Sequence, residues 1–142
     1  MENIIEKLKS GEFQSLVGKH EKDDFECKSQ PYDLTKTTQQ HELAKDISAF
    51  ANSDGGILVI GLKTKKESNT RLDVIDKIRL IDKKLIHINE MEQCIKNWIF
   101  PKIQGIKIST HTQKEDTSNK VLCSIYIPKK NHQKTILSYS PY

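Results

Sequence analysis

Apolar residues recur along this chain with two periods, and the longer period predicts helices in three places. The clearest helix is expected at residues 37–52, where one apolar stripe repeats every three or four positions. Shorter helices are expected at residues 2–9 and 90–99. Side chains suited to capping lie at the start of two of these helices. Thr35, Thr37 and Thr38 are candidates for the helix at 37–52, and Asn89 with Glu92 resembles a capping box for the helix at 90–99.

The shorter period predicts strands. Residues 24–28 alternate in polarity, which favours a half-buried strand with Glu26 and Lys28 on its open face. The continuous apolar run at 57–62 is typical of a central strand covered on both sides. Residues 106–108 and 121–127 predict an antiparallel hairpin, residues 63–69 a polar loop, and residues 71–88 fit neither period. The last segment, residues 128–142, shows no closing element.

This order of elements predicts one α+β domain with a mixed, mainly antiparallel sheet and helices packed on it. A length of 142 residues is enough for such a domain to fold alone. The chain has no apolar run long enough for a membrane span and no signal-peptide pattern at its start, so we expect a cytoplasmic protein. Its three cysteines form no CxxC pair and are expected to be free thiols.

Charge permits an anionic partner. The chain has a net charge of +4, and its 23 basic residues are lysines except for Arg71 and Arg79. Such a balance suits nucleic acid without requiring it. A lysine-rich genome would give the same composition.

Three segments together resemble a known family. They are E-C-K at 26–28, K-D-I-S-A-F-A-N-S-D-G-G at 45–56 and I-L-V-I-G-L at 57–62. This combination is similar to the Schlafen-type, AlbA-like nucleic-acid-binding domain, and W-I-F-P at 98–101 matches the family's helix-then-proline feature. The resemblance covers about residues 8–128. In this family the domain is commonly the N-terminal part of a longer chain, and a role in defence or stress response is implied.

The resemblance also implies a catalytic site, because some Schlafen-type domains are metal-dependent ribonucleases. Carried over to this chain, Glu21 and Glu26 are the metal ligands and catalytic acids for Mg²⁺ or Mn²⁺, and Lys28 faces a substrate phosphate. The family's third acid follows the I-G-V strand, where this chain has Lys63-Thr64-Lys65-Lys66 instead. Asp24 or Asp54 are the alternatives for that ligand. Glu21 and Glu26 also fit a solvated surface of mixed charge.

Lysines at two places predict a nucleic-acid surface. Lys63, Lys65 and Lys66 would join Lys129, Lys130 and Lys134, with Tyr126, Tyr139 and Tyr142 available for base stacking. A solvated lysine face is the alternative. His20 is a further candidate for a phosphate contact or ligand, and the alternative is an exposed histidine with neither role. Lys28 belongs to the same predicted surface.

Three hypotheses remain. The first is a domain that binds nucleic acid, RNA more readily than DNA, since no helix has the pattern of a major-groove reader. The second is a divalent-metal endoribonuclease that uses Glu21 and Glu26. The third is an interaction module that forms a homodimer or pairs with another protein.

Overall fold

A computed structural model of the chain describes residues 2–129 and 138–139. The three helices are α1 (Glu2–Ser10), α2 (Thr37–Ala51) and α3 (Ile88–Trp98). The strands are β1 (Phe25–Lys28), β2 (Gly56–Ile60), β3 (Leu62–Lys66), β4 (Asp73–Ile78), β5 (Ile81–Asp82), β6 (Ile99–Phe100), β7 (Lys107–Thr112), β8 (Lys120–Ile127) and β9 (Ser138–Tyr139).

The main sheet is mixed and mostly antiparallel, as expected. Strand β2 lies between β1, with which it pairs in parallel, and β8, with which it pairs antiparallel. On its other edge β8 pairs with β7. The first residues of β8 pair with β5 on the edge opposite to β7. The predicted α+β fold with helices packed on the sheet is therefore confirmed.

Two apolar layers cover the two faces of this sheet. Alternate residues of β2 divide between them, because successive side chains of a strand point to opposite faces. Leu58 and Ile60 pack with α2 and α3, while Ile57 and Val59 pack with α1 and the β3–β4 hairpin. The predicted central strand is thus buried on both faces.

The predicted helices are confirmed within a residue or two at their ends, but both predicted caps are wrong. The N-cap residue of α2 is Lys36, and that of α3 is His87, and neither side chain makes a capping hydrogen bond. Thr35 lies one residue before the N-cap and donates to Asp33 in a turn, whereas Thr37 and Thr38 already lie inside the helix.

The predicted polar loop at 63–69 is wrong, because residues Leu62–Lys66 form strand β3 and pair with β4. Gly61 explains why the apolar run ends early. Its φ is 113°, and a Cβ there would lie 2.5 Å from Leu122 Cδ2 and 3.0 Å from the Arg79 carbonyl oxygen. Only glycine accepts this conformation at such close approach, so the chain leaves the main sheet here and starts a separate hairpin.

The C-terminal segment does contribute a closing strand, contrary to the prediction, since β9 pairs with β6. The three cysteines are free thiols, as expected, with Cys94 and Cys123 buried. Over the described ranges, 2–129 and 138–139, no helix has the length and apolar character needed to cross a bilayer.

Candidate nucleic-acid interface

A small cavity lies between the start of β1 and the middle of α2, and we refer to it as the acidic cavity. Its volume is about 230 Å³. Asp46, Ala49 and Phe50 approach it from one face of α2, since residues three and four apart share a helix face. Four of its lining residues are acids; the full lining is Glu21, Lys22, Asp23, Phe25, Glu26, Asp46, Ala49 and Phe50.

Glu21 reaches this cavity because one hydrogen bond fixes its backbone and another fixes its side chain. Its N–H donates to the Asp73 carbonyl of β4 at 3.0 Å, and its side-chain Oε1 accepts from the Cys27 N–H at 3.3 Å. Burial raises the pKa of the Glu21 carboxyl above its usual value, the Cys27 hydrogen bond opposes that rise, and the charge of Asp73 adds to it. Glu21 is therefore a positioned, half-buried acid.

Glu26 lies in the same cavity, on the face of β1 that turns toward α2. Its carboxyl pKa is raised by burial first and then by the negative charge of Asp46, while Lys28 lowers it. Glu21 contributes a further, smaller rise. The two acids predicted from the sequence are thus close enough to influence each other, and the face predicted to be open is half-buried.

Two partners contact the half-buried Lys28 side chain. Its Nζ lies 3.4 Å from Asp46 Oδ2 and 5.1 Å from the centre of the Tyr32 ring. Tyr32 also donates its hydroxyl to Asp46 Oδ2 at 2.6 Å. Burial and the charge of Asp46 raise the pKa of the buried Tyr32 hydroxyl, so it stays a hydrogen-bond donor. Asp46 and Tyr32 were not singled out from the sequence.

Glu21 and Glu26 suit a divalent cation as two hard oxygen ligands in one cavity. The acids that join them there are Asp23 and Asp46, whereas neither Asp24 nor Asp54 lines the cavity. Within the described part of the chain, no group of three or more His, Cys, Asp or Glu residues has the arrangement of a metal site. A cation held by Glu21 and Glu26 alone would leave its other positions to water and phosphate oxygens.

The three lysines predicted to lie in a loop belong instead to the β3–β4 hairpin, which we call the lysine hairpin (residues 62–78). Lys63, Lys65 and Lys66 are all exposed. Lys65 pairs with Asp76 at 3.3 Å and Lys66 pairs with Asp73 at 3.2 Å. Lys66 also lowers the pKa of Glu21, so the hairpin adjoins the acidic cavity.

The other predicted contacts are more scattered. Lys129 is exposed, and its backbone lies beside Gly55 at the start of β2. His20 lies 3.2 Å from Glu67 of the hairpin turn, and Tyr126 is half-buried on β8. Lys130, Lys134 and Tyr142, together with the side chain of Tyr139, lie outside the described residues.

Sequence reasoning also missed Lys77, which pairs in register with Lys63 across the lysine hairpin. Its position is visible only once β3 and β4 are known to pair. Asp46 had a visible signal, because it lies three residues before Ala49 and four before Phe50, on the same face of the predicted helix. That spacing was available in the sequence.

The chain is thus an α+β domain with a mixed sheet, and acids and lysines lie together near the start of its first strand. The family model described as Schlafen, AlbA_2 matches residues 21–141. The chain therefore belongs to the Schlafen, AlbA_2 family, as the resemblance implied. No curated protein matches the chain.

Proposed function

We propose that this domain binds nucleic acid by its phosphate backbone, with the lysine hairpin as the main contact surface and RNA as the preferred ligand. The observation that carries this proposal is the outward placement of Lys63, Lys65 and Lys66 on one short strand. Each lysine that neutralises a phosphate adds affinity by releasing counterions. Lys129 and Lys130, and Lys28 to the extent that it can leave Asp46, would extend the surface.

Helix packing supports RNA over a specific DNA sequence. Among the described residues, all three helices bury their apolar faces in the two apolar layers that cover the sheet. None of them projects as a major-groove reader would. Contacts to backbone and to shape, rather than to base edges, are the mode that this surface suits.

The test is a fluorescence-anisotropy titration with labelled tRNA and labelled single-stranded DNA over a series of salt concentrations. We expect a steep loss of affinity with salt and little effect of a chelator. The triple Lys→Gln variant at positions 63, 65 and 66 should lose most of the affinity. The matched control carries the same charge change on other elements, with Lys83, Lys84 and Lys96 replaced by Gln.

Equal losses in both triple variants would mean that net charge, and not this surface, drives binding. Absence of binding by the wild type would overturn the proposal. A stable dimer by light scattering, with no binding, would favour the interaction module instead.

A metal-dependent endoribonuclease is the second candidate, and one observation favours it: Glu21 and Glu26 line the same cavity beside the lysine hairpin. A divalent cation bound there would activate water and neutralise phosphate charge. The Glu21 carboxyl is oriented by the Cys27 N–H, whereas the Glu26 carboxyl makes no hydrogen bond to another described group, so it is the more available ligand. Lys28 would balance charge next to Glu26.

Cleavage of labelled tRNA with Mn²⁺ tests this candidate. We expect products that disappear with a chelator and in Glu26→Gln, and that persist in Glu12→Gln, a control at an exposed acid. Intact tRNA under conditions where it is bound would show that the domain binds without cleaving.

A further inference from the structure

Two lysines face each other across the lysine hairpin without an acid between them. Lys63 of β3 is the register partner of Lys77 of β4, and both side chains are exposed. Directly opposite residues in an antiparallel pair have Cβ atoms about 5 Å apart, and like charges in that position destabilise the pair. An anion placed between the two ammonium groups would remove this repulsion.

The other two lysines of β3 are in a different state. Lys65 and Lys66 each have an ion-pair partner from β4, Asp76 and Asp73. Within the residues that the structure describes, neither Lys63 nor Lys77 forms an ion pair. Positive charge on the hairpin is therefore concentrated at its base, and the turn end is largely neutralised.

A register shift produces this division. Lys63 pairs with Lys77 and the next residue, Thr64, pairs with Ile75, so Asp76 is the extra residue of a bulge. A bulge re-aims the side chain of its extra residue, and Asp76 contacts Lys65. The one acid next to Lys77 in sequence is thus turned away from the Lys63–Lys77 pair.

We propose that Lys63 and Lys77 form a clamp for one backbone phosphate, a refinement that rests on the proposed function. Each ammonium group offers three donors, so two lysines supply enough hydrogen bonds for the free phosphate oxygens. Arg79, exposed two residues after Lys77, extends the positive surface along the same strand direction. The clamp, rather than all the lysines equally, then sets the affinity.

The first experiment compares two double variants that remove the same charge from the same hairpin. Lys63→Gln/Lys77→Gln removes the clamp, and Lys65→Gln/Lys66→Gln removes lysines that already have acid partners. In a salt series with labelled single-stranded RNA, the clamp variant should bind about tenfold more weakly than wild type. Its slope of log K against log salt should fall by about 0.7, the share of one phosphate. The control should change clearly less.

A second readout uses tripolyphosphate as the probe and thermal unfolding as the measurement. Wild type and the control should gain melting temperature beyond that in sodium chloride of equal ionic strength, and the clamp variant should not. Removal of repulsion means that the clamp variant should not melt below wild type in phosphate-free buffer. That result excludes misfolding as the cause of lost binding.

The outcomes separate the clamp from the proposed function. If RNA binds the two double variants equally, the clamp is wrong and nucleic-acid binding stands. If wild type binds no RNA but tripolyphosphate stabilises it and not the clamp variant, the clamp is an anion site and the proposed function fails. If neither ligand has an effect on wild type, both are overturned.

Discussion

The acidic cavity and the lysine hairpin adjoin each other, and each includes the aspartate of a lysine–aspartate pair. Lys28 Nζ lies 3.4 Å from Asp46 Oδ2 at the cavity, and Lys65 Nζ lies 3.3 Å from Asp76 Oδ1 on the hairpin. Their burial differs, because the side chains of the first pair are 29% and 12% exposed and those of the second are 64% and 26% exposed. Equal distance therefore does not mean equal energy.

This difference in burial indicates which of the two pairs contributes to folding stability. In the cavity, loss of one partner leaves a charge that water reaches poorly, so the cost falls on folding. On the hairpin, water and salt screen the charges, so the pairs contribute little to stability. Burial is thus the quantity to test.

The largest effect should come from Asp46→Ala. This change removes the acceptor of the Tyr32 hydroxyl and the counter-ion of half-buried Lys28 at once. We expect the free energy of unfolding to fall by about 2 kcal/mol. This is less than for a fully buried pair, because the Lys28 side chain is partly exposed to solvent. Urea denaturation measures this change.

Asp76→Ala is the matched control, since it breaks the equivalent pair on the hairpin. It should cost about 0.5 kcal/mol or less. Equal losses in the two variants would contradict the assignment of structural weight to the cavity.

A smaller effect is expected from Glu26→Gln, through pH. Burial and the charge of Asp46 raise the carboxyl pKa of Glu26 in the folded state above its ordinary value of 4.5. Just above pH 4.5 the folded state then binds more protons than the unfolded state, so the free energy of unfolding falls as pH rises through that range. Gln removes this dependence and should stabilise the domain slightly at pH 7, by less than Asp46→Ala destabilises it.

Unfolding measured from pH 4 to pH 7 distinguishes this result from a general effect of charge. Glu6→Gln, at an exposed position of α1, should leave the pH profile of wild type unchanged. A Glu26→Gln profile parallel to that of wild type would mean that folding does not raise the pKa of Glu26.

Strong periodic patterns made much of the fold predictable. Helix α2 and strand β2 have unbroken apolar patterns, and β7 and β8 alternate over several residues, so local sequence alone determined them. The pairing of Glu21 with Glu26 came from the family resemblance and not from a local pattern. In the structure a tight turn between Lys22 and Phe25 brings the two acids to one cavity.

The lysine hairpin was not predictable in this way. Strand β3 buries only Leu62, and its three lysines read as a loop, since no apolar partner marks its inner face. Its strand character comes from pairing with β4, which is a tertiary cause. The Lys63–Lys77 pair depends further on a bulge, and no local pattern indicates where a register shifts.

The smallest effect on stability should come from Asp76→Asn, which releases Lys65 on the exposed hairpin. We expect a change of about 0.5 kcal/mol or less in unfolding. Binding should respond in the opposite direction: a freed Lys65 adds a phosphate contact, so affinity for labelled RNA should rise about threefold and its salt slope should steepen by about 0.7. Anisotropy titration at several salt concentrations measures both quantities.

Glu92→Gln is the control for net charge, because it also removes one negative charge, from an exposed site on α3 on the other side of the sheet. A long-range effect of net charge would raise affinity equally in both variants. A rise confined to Asp76→Asn would mean that the acids of β4 limit how many hairpin lysines reach the phosphate backbone. Unchanged affinity in Asp76→Asn would mean that Lys65 takes no part in binding, and the contact surface would then shrink to the base of the hairpin.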